Sequence, residues 1–418
     1  MNFLKKMSVY TIANFLNKGI VFLLLPVLTA YLTPTEQGNL ALFLTTLGLV
    51  TPLVLLQITA AINVEYFRKD YGAENYGSYS FTGLCLSGGA FLLLALAFQL
   101  FRTPLLGLLE FDPFYLLLIP FIALCTVCVE VLKVNYIIRG KAVAFGGFLL
   151  FLTLLDIGLS LYFITARGMG IEGRVYGILT GKVIFALIAL VLLYRKELIN
   201  FKWAGTYARD LLRFGIPLLP HAIGGIVLHS SDQFFIAELV GKDALGIYSI
   251  AYQIGAVIML VDISFNQAFT PYVLNVLKSG NEGAKLKVVK ASYGYATGLF
   301  ICLGVLVLIS PYLYGYFINE RYASGIVYVP YIAMGYVFLG LYKMFVNYLF
   351  FLKETKIIGM ITLSSALLNV LLNYLVVPEY GAMGAALTTL FTFAVFFLLT
   401  AGFATRKMPM PWLKALKI

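Results

Sequence analysis

Charge is scarce in this chain. Only 12% of its 418 residues are charged and 61% are hydrophobic, whereas a soluble domain carries about 25% charged residues. Histidine is rarer still, with two residues, and the four cysteines include one C-x-x-C pair, Cys125 and Cys128, that has no second pair or nearby histidine. A zinc or redox centre normally needs such companions. The composition therefore argues against a water-soluble domain and predicts no metal site.

Motifs for catalysis and nucleotide binding are also missing. The string nearest to a phosphate-binding loop, Gly177-Ile-Leu-Thr-Gly181-Lys182-Val183, has the wrong spacing and a valine where the hydroxyl residue belongs. Neither H-E-x-x-H nor G-x-S-x-G occurs, and no loop is long enough to form a catalytic domain. We therefore expect a protein that is not an enzyme and needs no cofactor.

Long apolar runs are what the chain has in abundance. Each run meets the requirement of roughly 20 apolar residues for a spanning helix, and none shows the strict alternation of a transmembrane strand. The predicted spans 1 to 12 lie at about 8–32, 39–63, 79–101, 113–137, 145–165, 173–194, 214–236, 244–271, 291–315, 326–351, 357–376 and 382–404. The predicted class is an all-α polytopic membrane protein.

The basic residues predict how the chain is oriented. With twelve spans, 22 of the 30 Lys and Arg residues fall in the loops and termini on one side, and five on the other. Lysine and arginine in short loops stay on the cytoplasmic side, so we expect both termini in the cytoplasm and the first apolar run as a retained helix. This asymmetry and contact with an anionic leaflet explain the net charge of +11 without a nucleic-acid partner.

The two halves of the sequence resemble each other. Gly38, between spans 1 and 2, matches Gly246, between spans 7 and 8, and Asp156 in span 5 matches Asn369 in span 11. Further matches at offsets of 211 and 212 pair Val134-Asn135-Tyr136 with Val346-Asn347-Tyr348, and Gly170-Ile-Glu-Gly173 with Gly381-Ala-Met-Gly384. Six spans per half make the repeat parallel, with a substrate expected near the midplane between the halves.

The repeat predicts a two-lobed transporter with a central cavity. The basic, polar loop after span 6 is the natural junction between the lobes. The predicted parts are an N-terminal six-helix lobe at 1–194, a cytoplasmic linker at 195–213, a C-terminal six-helix lobe at 214–404 and a cytoplasmic tail at 405–418.

Four segments carry a resemblance to a known family. They are Ser8-Val-Tyr-Thr-Ile-Ala-Asn14-Phe-Leu-Asn17-Lys18-Gly19, Leu32-Thr-Pro-Thr-Glu-Gln-Gly38, Phe214-Gly-Ile-Pro217-Leu-Leu-Pro220 and Leu245-Gly-Ile-Tyr-Ser-Ile-Ala-Tyr252. With these segments the chain resembles the polysaccharide-biosynthesis flippases, the Wzx-type O-antigen transporters of the multidrug/oligosaccharidyl-lipid/polysaccharide (MOP) superfamily. The resemblance covers essentially the whole chain.

The resemblance implies a function in the bacterial cytoplasmic membrane. It implies movement of a polyprenyl-pyrophosphate-linked oligosaccharide, a repeat unit of O-antigen, capsule or exopolysaccharide, from the inner to the outer leaflet. It implies two six-helix lobes around a cavity lined chiefly by spans 1, 2, 7 and 8. Expected partners are the lipid-linked glycan and membrane lipids, with a polysaccharide polymerase and glycosyltransferases as further candidates. A multidrug or cation antiporter of the same superfamily is the alternative.

Polar residues on span 1 are the first candidates for binding the substrate. Asn14 and Lys18, with Asn17 beside them, form a polar stripe at helical spacing. Lys18 lies about 15 Å beyond the start of the span, near the midplane. A cation there suits a pyrophosphate or an acidic sugar, while hydrogen bonding between helices of the lobe is the alternative interpretation.

Other ionisable residues lie in later spans. Span 7 carries His221, His229 and Asp232, and at about 100° per residue His221 and Asp232 project within about 20° of each other. This face favours coupling to a proton gradient, unless Asp232 lies near the periplasmic surface and the histidines pack as neutral groups. Asp262, with Asn266 one turn later, is a candidate for the cytoplasmic vestibule.

A charge pair is predicted within the N-terminal lobe. Asp156 in span 5 and Lys182 in span 6 lie at similar depths, about 16 Å and 13 Å into their helices. A charged group inside a bilayer needs a partner, water or the headgroups. We therefore predict an intramembrane ion pair between them, with a structural role.

Overall fold

Helices account for the regular structure of this protein. The computed structural model describes residues 12–13, 15–17, 19–20, 22–68, 73–109, 113–279 and 281–416, and no strand occurs within these ranges. The α-helices are α1 Leu25–Tyr31, α2 Pro34–Leu55, α3 Ile58–Arg68, α4 Ala73–Leu100, α5 Arg102–Leu109, α6 Pro113–Ile138, α7 Ala142–Leu161, α8 Gly170–Arg195, α9 Gly205–Gly215, α10 Leu219–Leu239, α11 Lys242–Gly255, α12 Val257–Ser279, α13 Glu282–Phe317, α14 Val329–Phe351, α15 Thr355–Lys407 and α16 Trp412–Leu416.

The helix lengths confirm a multi-pass membrane protein. In the described part of the chain, ten helical stretches are long and apolar enough to cross a bilayer. The longest, α15, has 53 residues and is broken at Gly381, whose φ is 56°, so it contains both predicted spans 11 and 12. Predicted span 1 falls partly outside the described residues. The predicted all-α polytopic class is therefore confirmed.

Two predicted spans are interrupted rather than continuous. Span 2 is divided into α2 and α3 at Leu56 and Gln57, which have φ of 48° and 54°, four residues after Pro52. Span 8 is divided into α11 and α12 at Ala256. Hydropathy predicts only that these segments are apolar, because a local change of backbone direction leaves the hydropathy of a segment unchanged.

The structure divides into two compact units. The first comprises Met1–Val27 and Asn39–Ile226, and the second comprises Leu28–Gly38 and Val227–Ile418. In the first unit α6 is central, with Val131 and Leu132 fully buried. In the second unit the helix of equivalent position, α14, is likewise largely buried. The linker predicted at 195–213 stays a prediction.

Each unit contains the same helix hairpin, which confirms the repeat. In the first unit, α7 packs on α8 through Ser160 and Gly177, which lie so close that a side chain at 177 would collide with the serine. In the second, the two parts of α15 pack through Asn373 and Thr388, joined by a hydrogen bond of 2.7 Å. The turns agree as well, since Gly170 and Gly381 have φ of 53° and 56°.

The second unit also contains a crossing between the beginnings of α2 and α11. Gly38 packs against the carbonyl of Lys242, and Gly246 packs against the carbonyl of Pro34. Gly38 and Gly246, which are 208 positions apart, are therefore in mutual contact. Thr35 also donates a hydrogen bond to Asp243 across this crossing.

Replacing Gly38 should weaken this crossing. A Gly38→Ala methyl group would collide with the Lys242 carbonyl, and forced overpacking costs about 1 to 3 kcal/mol. Gly48→Ala is the matched control, because it lies in the same helix with nothing within 4 Å of the added carbon and should gain up to about 1 kcal/mol in helix propensity. Thermal unfolding of the detergent-solubilised variants tests this, and equal shifts would contradict the close approach.

Candidate functional site

The main feature of the second unit is a buried carboxylate that has no counterion among the described residues. Asp232, on α10, is 1% exposed. Its carboxylate accepts hydrogen bonds from the Tyr248 hydroxyl at 2.6 Å, the Gln233 backbone amide at 2.9 Å and the Thr389 hydroxyl at 3.4 Å. Among the described residues no lysine, arginine or histidine forms an ion pair with it. Among the described residues, the groups that stabilise this carboxylate are therefore neutral donors.

Polar side chains from both parts of α15 surround this helix. The Ser231 hydroxyl donates to the Asn369 amide oxygen at 2.5 Å, and the Asn373 amide nitrogen donates to the same oxygen at 3.0 Å. We call the group the Asp232 cluster; its members are Ser231, Asp232, Tyr248, Asn369, Asn373, Thr388, Thr389 and Thr392. All of these side chains are buried, and each carries an oxygen atom that can accept a hydrogen bond or contact a cation.

Such a cluster can neutralise itself by taking up a small cation. A carboxylate in a bilayer costs about 2.5 to 3.5 kcal/mol on insertion scales, and unpaired acidic groups there mark ion pathways and proton relays. Binding of a proton or a monovalent cation would remove that cost. No group of three His, Cys, Asp or Glu side chains suited to a metal ion occurs among the described residues.

The two histidines of span 7 are separated in the structure. His229 packs edge-on against Phe393, with ring centroids 5.1 Å apart, and its backbone carbonyl accepts a hydrogen bond from the Tyr252 hydroxyl at 2.7 Å. His221 is exposed and belongs to the first unit. The described contacts therefore do not bring His221 into the Asp232 cluster, and its part in transport stays a prediction.

A second buried carboxylate in this unit has a full set of partners. Asp262, on α12, forms an ion pair with Lys343 and accepts hydrogen bonds from the Tyr295 hydroxyl at 2.7 Å and the Asn266 amide at 2.6 Å. The side chain of Asp262 is 1% exposed and that of Lys343 is 28% exposed. These contacts favour a structural role for Asp262, whose assignment to the substrate path stays a prediction.

The charge pair predicted in the first unit has a different partner. Asp156 pairs with Arg174, whose Nη1 lies 2.7 Å from Oδ1 and also donates to the Ser160 hydroxyl at 2.6 Å. Among the described residues no ion pair joins Asp156 to Lys182, but Lys182 interacts electrostatically with Asp156, so the predicted pairing of the two stays a prediction. Asp156 and Lys182 do lie at similar depths, but Gly181 is the residue that faces Asp156. A Cβ atom added to Gly181 would lie 3.3 Å from the Cα of Asp156. Lys182, one residue later, points about 100° away around the helix.

The polar stripe of span 1 is described only in part. Asn17 donates a hydrogen bond to the Thr153 hydroxyl on α7, a contact within the first unit that agrees with hydrogen bonding between helices. Asn14 and Lys18 lie outside the described residues. Their assignment to substrate binding stays a prediction.

The two units differ at the three positions that correspond to the ion pair and hydroxyl of the first. Asp156 and Ser160 of the first unit correspond in the repeat to Asn369 and Asn373 of the second. Arg174, which neutralises the first cluster, corresponds to an alanine in the second. The hairpin of the first unit therefore supplies a cation, Arg174, for its own carboxylate. The Asp232 cluster has a carboxylate from α10 and, among the described residues, no cation paired with it.

Sequence reasoning missed the partners of the two clusters. Arg174 lies at the beginning of predicted span 6, and a basic residue near the start of a helix has a side chain long enough to reach a carboxylate on a neighbouring helix. The asparagines at i and i+4 in an apolar span, Asn369 and Asn373, were a usable sign of a buried polar contact. Tyr248 gave no sign, because one hydroxyl in an aromatic-rich chain is unremarkable.

Comparisons with known proteins identify the fold and family. The polysaccharide biosynthesis protein family matches residues 3–276, and the MatE family matches residues 217–375. A protein of Haemophilus influenzae described as an uncharacterized membrane protein is 26% identical over 381 residues, covering 88% of this chain and 89% of its own length. Another, Lsg locus putative protein 1 of the same organism, is 24% identical over 390 residues, covering 88% of this chain and 90% of its own.

Solved structures share the architecture. A multidrug resistance MATE family transporter of the MOP superfamily, in an inward-facing conformation, has a TM-score of 0.75 at 15% identity, covering 96% of each chain. The lipid II flippase MurJ, in an inward closed conformation, has a TM-score of 0.77 at 14% identity, covering 98% of this chain and 89% of its own. The fold is that of MOP superfamily transporters and flippases.

Proposed function

Because this chain belongs to the polysaccharide biosynthesis protein family, we propose that it is a flippase for a polyprenyl-pyrophosphate-linked oligosaccharide. The cargo is a repeat unit of O-antigen, capsule or exopolysaccharide, moved across the bacterial cytoplasmic membrane by alternating access. Both termini lie in the cytoplasm, and a polysaccharide polymerase and glycosyltransferases are its expected partners. The likeness to a lipid II flippase supports a lipid-linked cargo.

The Asp232 cluster carries the proposal that transport is ion-coupled. A ligand shifts a conformational equilibrium only by its differential affinity for the two states. A buried carboxylate with neutral donors meets this requirement, because binding of a cation changes the net charge inside the bilayer. His229, in the predicted C-terminal lobe, and His221, near the beginning of that lobe, are further candidates for groups that bind and release the proton.

Lys18 is the proposed contact for the pyrophosphate head group, with Asn14 and Asn17 beside it. A Lys18→Ala variant should lose transport while keeping its expression level, because the charge-assisted contact to the phosphate is gone. Lys18→Arg, which keeps the charge, is the control and should retain most activity. Initial rates in proteoliposomes measure the effect, and normal transport by well-expressed Lys18→Ala protein would refute the assignment.

An antiporter for lipophilic cations is the second candidate. It is favoured by the Asp232 carboxylate, which has no ion-pair partner in the described part of the chain, and by the likeness to a multidrug transporter. Proteoliposomes of purified protein separate the two functions. One assay follows translocation of a fluorescent polyprenyl-pyrophosphate oligosaccharide, and the other follows efflux of a lipophilic cation under an imposed proton gradient. Movement of the lipid-linked sugar alone supports the flippase, and cation efflux alone replaces it with the antiporter.

A further inference from the structure

A strap of aromatic and basic residues runs along the surface of the first unit between α8 and α10. It comprises residues 194–213. Three large aromatic side chains of this strap are strongly exposed, with Tyr194 at 57%, Phe201 at 71% and Trp203 at 54%. Exposed basic residues accompany them; these are Arg195, Lys196, Lys202, Arg209 and Arg213.

The strap is held firmly on one side. Leu198, Ile199 and Leu211 are at most 5% exposed. Its polar groups also bind α4: Ser78 donates to the Asn200 side chain at 2.9 Å, and the Tyr79 hydroxyl donates to Asp210 at 2.9 Å. The strap therefore packs on the rest of the first unit in a fixed position, and its aromatic and basic side chains point outward.

The outward side combines two properties of a membrane interface. In α9, Ala208, Leu211 and Gly215 are buried while Arg209 and Arg213, one turn apart, are exposed. Ring contacts order the aromatics, with Phe201 5.4 Å from Phe81 and 5.5 Å from Tyr194 between centroids. Aromatic side chains prefer the headgroup level, and basic residues near an anionic leaflet gain about 1 kcal/mol each.

We propose that the 194–213 strap binds anionic phospholipid headgroups. Trp203 and Phe201 enter the interface, and Arg209 and Arg213 contact the lipid phosphates. The strap contains five basic residues and two acidic ones, Glu197 and Asp210, so it carries a net positive charge. This complementarity selects an anionic lipid surface rather than a zwitterionic one and fixes the segment that joins the two predicted lobes.

The chain offers a specific fluorescent reporter, since it contains only two tryptophans. Trp412 stacks on Phe345 with centroids 5.0 Å apart, so a Trp412→Phe substitution keeps an aromatic ring there and leaves Trp203 as the single tryptophan. The full-length variant is reconstituted into vesicles in which either phosphatidylglycerol or phosphatidylcholine carries brominated acyl chains. Bromine quenches tryptophan only at short range.

The proposal expects stronger quenching by brominated phosphatidylglycerol than by brominated phosphatidylcholine at equal mole fraction. Adding Arg209→Gln and Arg213→Gln should lower the preference about fivefold per residue, and higher salt should weaken it. Lys287→Gln with Lys290→Gln removes two exposed cations elsewhere and should leave the preference unchanged. Equal quenching by both lipids would overturn the proposal, as would equal effects of both double variants. Absence of quenching would instead indicate a water-facing strap suited to an acidic protein.

Discussion

Asp232→Asn protein should fold and reach the membrane but lose the response of transport to an ion gradient. The amide preserves the shape of the side chain and its contact with Tyr248, while the charge that a cation would neutralise is gone. A proton gradient of one pH unit supplies about 1.4 kcal/mol per proton, a factor of about ten in substrate distribution. Asp232→Asn should remove this factor in proteoliposomes with an imposed gradient.

Asp210→Asn is the control for this experiment. Asp210 also accepts a hydrogen bond from a tyrosine hydroxyl, at 2.9 Å, but it is exposed. Asp210→Asn protein should therefore keep the full response of transport to the proton gradient. If Asp232→Asn protein responds to the gradient as the wild type does, Asp232 is a structural residue and coupling resides elsewhere.

Arg174→Met should be among the most destabilising single substitutions in the first unit. It leaves Asp156 inside the membrane without its cation, and breaking a buried ion pair costs about 3 to 5 kcal/mol. The Asp156 side chain retains 20% exposure, so we expect about 3 kcal/mol. Reversible unfolding in mixed detergent micelles measures the free energy of unfolding.

Two further variants decide whether the ion pair is the cause. Lys182→Met removes a cation of similar length and depth that interacts electrostatically with Asp156 but forms no ion pair with it among the described residues, so its effect should be clearly smaller. Combining Arg174→Met with Asp156→Asn places an amide where the second unit has Asn369, and should recover most of the lost stability. A larger loss for Lys182→Met than for Arg174→Met would instead make Lys182 the main counterion of Asp156.

The sequence was sufficient for the class, the repeat and the resemblance to the family. Three sequence patterns do not depend on local backbone geometry. They are the apolar runs of spanning length, the strong asymmetry of basic residues and the matches at a nearly constant offset. Gly170 and Gly381 show why, since matching glycines kept the same backbone conformation in both copies. The interruptions at Leu56 and Ala256 were not predictable, because an apolar segment has the same hydropathy whether its helix is straight or broken.

For the site, the sequence by itself determined which polar residues must be accommodated within the bilayer. Insertion cost makes every such residue conspicuous in so apolar a chain, and Asp156, Asp232 and Asp262 were all identified. Only the tertiary structure decided their partners, which are Arg174 for Asp156, Lys343 for Asp262, and two hydroxyls with one backbone amide for Asp232. Periodicity gives a depth and a direction on one helix, whereas a partner depends on how neighbouring helices are rotated against each other, and that is set by packing.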